Sequence, residues 1–258
     1  MSLARFTYIG GPTALIELAG LRFLTDPTLD PGGTDYPTAV YTLHKTQPPA
    51  LPAESLGKID VVLLSHDHHF DNLDHAGRTA LASAGTVLTT QAGAERLGGN
   101  AVGLAPWEKT TLRSSDGREV AVSATPARHG PENGDRGPVV GFVLQSTSAA
   151  DPVFYFSGDT VWYDGVAEIA RRFPARVAVL NVGAARVREV GALHLTMTSD
   201  EAVEAARAFS KAVVVPLHFE GWAHFSEGRE RVEQAFSATR LQSRLQWPEP
   251  GCRVEICL

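Results

Sequence analysis

The chain opens on short segments in which apolar residues are interleaved with polar ones and broken by glycine. Phe6 to Ile9 and Ala14 to Leu18 read as strands around the Gly10-Gly11-Pro12 turn, and Leu21 to Thr25 as a third after Ala19-Gly20. Asp26-Pro27 ends this meander. The stretch from Thr28 to Pro52 is rich in Pro, Gly and Thr and shows little periodicity, so it is expected to cover or border a site. Ile59 to Leu64 is almost wholly apolar and β-branched, the pattern of a strand buried on both faces. A helix is expected over Asp74 to Ala84 with Gly85 closing it. Thr86 to Thr90 then reads as a strand, Ala92 to Leu97 as a short helix and Glu119 to Pro126 as another strand. Val139 to Leu144 and Val153 to Phe156 suit a paired hairpin, and Val177 to Val182 is one more apolar strand. The last third alternates more clearly. Thr198 and Glu201 form a capping-box pattern ahead of an amphipathic helix to Phe209, followed by a strand over Ala212 to Pro216, a helix over Arg229 to Thr239, and an edge strand at Arg253 to Ile256.

Strands alternating with helices over 258 residues suit one large α/β domain spanning 1–258. A net charge of −6 argues against non-specific nucleic-acid binding, which needs a basic footprint. No apolar run is long enough for a membrane span. Met1 to Arg5 leads straight into the first strand and not into a secretory core, so a cytoplasmic location is expected. The two cysteines, Cys252 and Cys257, are far in sequence from every histidine cluster and read as packed thiols without chemistry.

What changes this ordinary picture is where the apolar strands end. Behind Leu64 come Ser65-His66-Asp67-His68-His69-Phe70-Asp71-Asn72-Leu73-Asp74-His75, four imidazoles and three carboxylates in eleven residues. Three histidines within four residues have no packing purpose, and His with Asp is the ligand set of zinc and related divalent ions. The strand ending at Pro126 delivers His129 in a Gly/Pro loop. Phe156 is followed by Ser157-Gly158-Asp159, and the strand ending at Pro216 runs into His218. A sheet brings strand ends together, so these signals reinforce one another. Neutral His and ionised Asp can satisfy two divalent ions about 3.5 to 4 Å apart, a site for metal-assisted hydrolysis with a metal-activated hydroxide.

The order of these motifs resembles the metallo-β-lactamase fold superfamily, especially its branch similar to ascorbate-6-phosphate lactonases and N-acylphosphatidylethanolamine-type phospholipases D. The resemblance covers nearly the whole chain: Thr7-Tyr8-Ile9-Gly10, Leu24-Thr25-Asp26-Pro27, the His/Asp loop, His129, Gly158-Asp159-Thr160, Met197-Thr198 to Ala206, and Val215-Pro216-Leu217-His218. It implies a four-layer αββα sandwich with the metals at one edge between the sheets. It also implies metal ligation by the His/Asp loop with His129, Asp159 and His218, Asp159 bridging.

The central motif departs from the family's H-x-H-x-D-H. Here one residue is added between the His pair and Asp71, and Asn72 stands where the last His is expected. Two registers fit: His66 with His68 and a bulge before Asp71, or Asp67 and His69 in those places. The first is preferred because Ser65-His66 follows the strand directly, which leaves His69 to replace the missing imidazole of the second site. Without that replacement the second ion is weaker, absent, or a harder one such as manganese. Gly11 is a further departure, since the close branch often carries His there.

The expected ligands are therefore His66, His68, His69, Asp71, His129, Asp159 and His218, holding one or two divalent ions, zinc first and manganese second. Asp71, Asp159 and His194 are the expected catalytic groups; His194 acts as a general acid, orients a phosphate, or simply fills a loop. Trp222 and His224 are placed at the pocket mouth, Asp74 behind a ligand, and His44 and His75 outside the site. The resulting expectation is a hydrolase of a small ester, lactone or phosphodiester with a small-molecule substrate. A nuclease of the same superfamily and a non-catalytic ligand-binding protein with a degenerate metal site are the alternatives.

Overall fold

The computed structural model describes residues 4–148, 151 and 153–256. β1 (Arg5–Gly10), β2 (Thr13–Leu18) and β3 (Leu21–Thr25) form the expected antiparallel meander. The Pro-rich segment that follows holds a small hairpin, β4 (Asp35–Pro37) with β5 (Thr42–His44), three residues a strand and too short to leave a periodic signal. β6 (Val61–Leu63) lies parallel to β3 and leads through the His/Asp loop into α1 (His75–Ala80). That helix is shorter than its composition suggested, because a 3₁₀ turn over Leu81–Ser83 replaces its last part. β7 (Thr86–Thr89), α2 (Gln91–Leu97) and β8 (Ala101–Gly103) complete this side, all three strands from β6 to β8 running parallel.

A second sheet begins with β9 (Lys109–Arg113), β10 (Glu119–Pro126), β11 (Val140–Ser146) and β12 (Phe154–Phe156), paired antiparallel in succession. α3 (Asp164–Arg172), β13 (Val177–Asn181), α4 (Ser199–Ala208), β14 (Val213–Leu217) and α5 (Arg229–Ala238) follow. β12, β13 and β14 are parallel, and β15 (Arg253–Glu255) returns to pair with β1. The sheets read β15-β1-β2-β3-β6-β7-β8 and β14-β13-β12-β11-β10-β9.

Side-chain alternation along the strands makes the layers. Phe154 and Phe156 join Phe6, Phe23, Val61, Leu63 and Phe142 in the core between the sheets. Tyr155 points the other way, onto a second core with Val166 and Ile169 of α3, Ala202 and Ala206 of α4, and Val232 and Phe236 of α5. Val62 likewise turns from β6 to the opposite outer face, with Leu15, Leu24, Leu73 and Leu81. The result is an αββα sandwich, and the capping box of Thr198 and Glu201 at the start of α4 is present in both its bonds.

Direction within the sheets assembles the site. β3 and β6 run together in one sheet, and in the other β10 and β12 both oppose β11, so β10, β12, β13 and β14 share a direction. The loops after β3, β6, β10, β12 and β14 carry Asp26, the His/Asp cluster, His129, Asp159 and His218. No helix among the described residues is long and apolar enough to cross a membrane. Cys252 is exposed, so it is not one of a packed pair of thiols, and Cys257 lies outside the described residues.

Candidate metal centre

Asp26, fully buried behind β3, anchors the His/Asp loop. It accepts hydrogen bonds from the Ser65 amide at 2.6 Å, the Ser65 hydroxyl at 2.7 Å and the Asn72 side-chain amide at 3.1 Å. Burial pushes its carboxyl up to about 7 against the pull of the Ser65 amide. Since the Ser65 hydroxyl proton is given to Asp26, its oxygen is left to accept from His66 Nδ1 at 2.9 Å. His129 Nδ1 lies 2.8 Å from the Leu195 carbonyl, which can only accept. Both rings therefore carry their proton on Nδ1 and present a bare Nε2.

Those two lone pairs converge on His69 Nδ1, at 2.9 Å from His66 and 3.0 Å from His129. Three ring nitrogens thus crowd together with one proton at most among them. Burial and the neighbouring rings take His66 well below the ordinary imidazole range, and burial with His129 takes His69 to about 3. Three convergent ring nitrogens of this kind are a donor set that could hold a metal ion.

Asp71, Asp159 and His218 form a second group, with one ligand atom of each within 4.8 Å of the others, as is also true of His66, His69 and His129. His218 Nε2 lies 3.5 Å from Asp71 Oδ2 and its Nδ1 3.0 Å from Asp159 Oδ1, yet neither nitrogen has hydrogen-bond alignment in a fully buried ring. Asp159 Oδ1 accepts from Asn181 Nδ2 at 2.8 Å. Its Oδ2 is buried, has no hydrogen-bond partner and points 3.6 Å from His129 Nε2. Orphaned buried polar atoms are rare in folded proteins and mark an ion or a water. Asp159 sets one oxygen toward each group. Burial alone would raise both carboxyls and lower His218. The rings of His218 and His224 nevertheless hold Asp71 well below the carboxylate range, and His218 does the same to Asp159. In turn the two carboxylates hold His218 up to about 10.

Backbone geometry pays for this placement at two points. Gly158 has φ +56°, and a Cβ there would meet Ser65 Cβ at 2.7 Å and the Val140 carbonyl at 2.8 Å. His218 itself has φ 58°, while a Cβ on Gly183 would lie 2.5 Å from the His218 carbonyl. Gly158→Ala should therefore destabilise the protein by about 2 kcal/mol or more and lower metal affinity with it. Urea unfolding with and without metal measures both; an unchanged midpoint would show that the Gly158 turn is not constrained.

His69, Asp71 and His129 open onto a cleft of about 270 Å³ that is also lined by Tyr41, Leu43, Arg136, Val187 and Leu195, while His66, Asp159 and His218 are buried behind it. A second cleft of about 570 Å³ shares Leu43, Val187 and His224 with it and carries Arg186 and Arg188. Residues 21–219 match the family described as Beta-lactamase superfamily domain. The chain belongs to that family. It is 27% identical to a UPF0173 metal-dependent hydrolase of Caldivirga maquilingensis over 252 residues, covering 95% of this chain and 94% of that one. A more distant relative is N-acyl-phosphatidylethanolamine-hydrolyzing phospholipase D 1 of Caenorhabditis elegans, 23% identical over 90% of this chain and 69% of that one. The same fold is seen in an isothiocyanate hydrolase from Delia radicum gut bacteria, at TM-score 0.81 and 23% identity over 97% of this chain and 98% of that one.

Within this β-lactamase superfamily domain the structure brings together six of the seven expected ligands, in a combination that neither register anticipated. The His66 ring packs against both His68 and His69, but only His69 brings a nitrogen into the group, 2.9 Å from His66 Nε2. His68 Nε2 donates to the Arg136 carbonyl at 2.9 Å, and the residue is exposed, outside both groups. His69 lies in the three-imidazole group, and its ring is not in the group of Asp71, Asp159 and His218. His194 pairs with the capping-box residue Glu201 at 3.1 Å and does not line the cleft. Asp74 caps α1 through the Gly77 amide and holds buried Lys45 at 2.8 Å, which turns it away from the ligands. His44 bonds exposed Asp35, and His75 stacks on Tyr36.

Three participants were not singled out beforehand in these roles. His224 was placed at the mouth but reaches Asp71 Oδ2 at 3.0 Å. Asn181, which orients Asp159, ends the apolar run of β13 and could have been read as another polar strand end. Asp26 lay in a quoted motif with no role attached to it.

Proposed function

We propose that the chain is a metal-dependent hydrolase of a small ester, lactone or phosphodiester. The observation that carries this reading is the pair of three-ligand groups, with buried Asp159 set between them and His69, Asp71 and His129 opening onto a small cleft. His66, His69 and His129 would hold one divalent ion and Asp71, Asp159 and His218 the other. The imidazole set suits zinc, and the oxygen-richer set suits zinc or manganese. When bound, such ions supply Lewis acidity toward a carbonyl or phosphoryl oxygen and a nucleophile drawn from water near neutral pH.

The remaining work falls to the chain. Asp26 fixes Ser65 and through it the tautomer of His66, while the Leu195 carbonyl does the same for His129. Leu43, Val187 and Leu195 line the cleft, and the volume admits one small reacting group, which disfavours a nucleic-acid strand. Its relatives are named for substrates as different as a phospholipid and an isothiocyanate, so the family by itself does not select one. His194 is assigned no step.

Metal analysis of protein purified without chelators tests the reading, together with hydrolysis of nitrophenyl esters, small lactones and bis(nitrophenyl) phosphate before and after chelation. The expected result is bound divalent metal and an activity that chelation removes and zinc or manganese restores. Protein without metal affinity, or hydrolysis indifferent to chelation, would overturn it.

A further inference from the structure

Past His218 the chain turns sharply back across the mouth of the site, through Gly221 at φ +85°. This return is held on both sides. Trp222 bridges to Lys45, the Ala223 amide donates to the His44 carbonyl at 3.0 Å, and the His224 carbonyl accepts from the Arg186 amide at 2.8 Å. His224 is thereby fixed with Nε2 3.0 Å from Asp71 Oδ2.

We propose that His224 is a fourth protein ligand of the Asp71, Asp159 and His218 site, supplying the imidazole that Asn72 does not. The inference rests on the metal-site reading above and assigns one more residue to it. Two features place His224 beside that site. First, His218 and His224 both aim Nε2 at the same oxygen, Asp71 Oδ2, and no contact of either ring to the other oxygen is seen. Second, donors about 2.0 to 2.2 Å from one tetrahedral ion lie about 3.3 to 3.6 Å apart. The 3.5 Å separation of His218 from Asp71 Oδ2 lies within that range; the 3.0 Å separation of His224 is shorter and equals the spacing within the three-imidazole group.

Asn72 meanwhile gives its side-chain N–H to Asp26 Oδ2 at 3.1 Å, and its buried Oδ1 has no hydrogen-bond partner. With His224 the second set holds two carboxylates and two imidazoles, enough to close a four-coordinate site with protein alone. The other set is three imidazoles with the second oxygen of Asp159, so the two ions would meet different donor chemistry.

Titration of chelated protein with zinc alone, followed by calorimetry, tests this in the parent, His224→Ala and His224→Gln. The glutamine can still donate to Asp71 but is a poor ligand. The expected result is two equivalents in the parent and, in both variants, a second equivalent weakened by about 100-fold or more with the first unchanged. Cobalt should report the same loss as a change in its visible bands. A glutamine variant that binds both ions as the parent does would make His224 a donor only and overturn the proposal, as would an alanine variant that keeps both. Loss of both equivalents from a folded variant would also overturn it, because the effect would not belong to one site. A parent that binds no zinc or cobalt at all would instead sink the metal-site reading itself.

Discussion

Asp159→Asn should lower kcat by at least about 100-fold while the protein stays folded. Loss of an outer partner of a metal ligand already costs about 10- to 100-fold, and Asp159 is placed closer than that. The substitution keeps the shape, and the oxygen that remains can still accept from Asn181. What goes is the charge, together with the one buried oxygen that has no partner in the protein and faces the three-imidazole group. Because one oxygen of Asp159 is directed to each group, both zinc equivalents should bind more weakly, which distinguishes this residue from one serving a single ion. Steady-state kinetics at saturating zinc, with calorimetry for each equivalent and circular dichroism for the fold, measure the three parts. Near-normal hydrolysis with two tightly bound ions would reduce Gly158-Asp159 to a turn.

The placement of Asp159 was legible because an apolar strand stops abruptly there in Gly-Asp, and the same is true of His129 and His218. An abrupt change from β-branched residues to His or Asp reports a strand end, and parallel strands gather their ends at one edge of a sheet. The αββα layering was legible for a related reason, since Phe154, Tyr155 and Phe156 can all be buried only if the sheet is covered on both faces. α3 was missed because only Val166 and Ile169 of its nine residues are buried, and β9 because Lys-Thr-Thr-Leu-Arg runs along a sheet edge where no residue is fully buried. His224 was not legible as a neighbour of Asp71, from which it lies 153 positions away. Only the return of the chain across the site makes that contact.

The loop takes a course that the sequence does not show. His66 and His68 pair in the preferred register because Ser65-His66 follows the strand directly, but β6 ends at Leu63 and the segment beyond it is no longer extended. The His69 carbonyl accepts from the amides of Asn72 at 3.3 Å and Leu73 at 3.0 Å, closing a helical type of turn. Ahead of that turn His66 Nε2 lies 2.9 Å from His69 Nδ1, while His68 Nε2 reaches the Arg136 carbonyl at 2.9 Å.

His69→Ala should therefore remove one zinc equivalent, or weaken it by about 100-fold or more, whereas His68→Ala should leave both nearly intact. His68 contributes a single exposed hydrogen bond to the Arg136 carbonyl, worth about 1 kcal/mol at most, and its loss should cost loop order and not metal. Retention of zinc by His69→Ala and its loss from His68→Ala would restore the register in which His66 pairs with His68. Which ion His69 serves is settled by the double variant. If His69 and His129 hold the same ion, His69→Ala with His129→Ala should lose no more equivalents than His129→Ala alone, because a site already emptied cannot be emptied again. If His69 instead completes the Asp71 group, the two losses fall on different ions, and the double variant should bind neither.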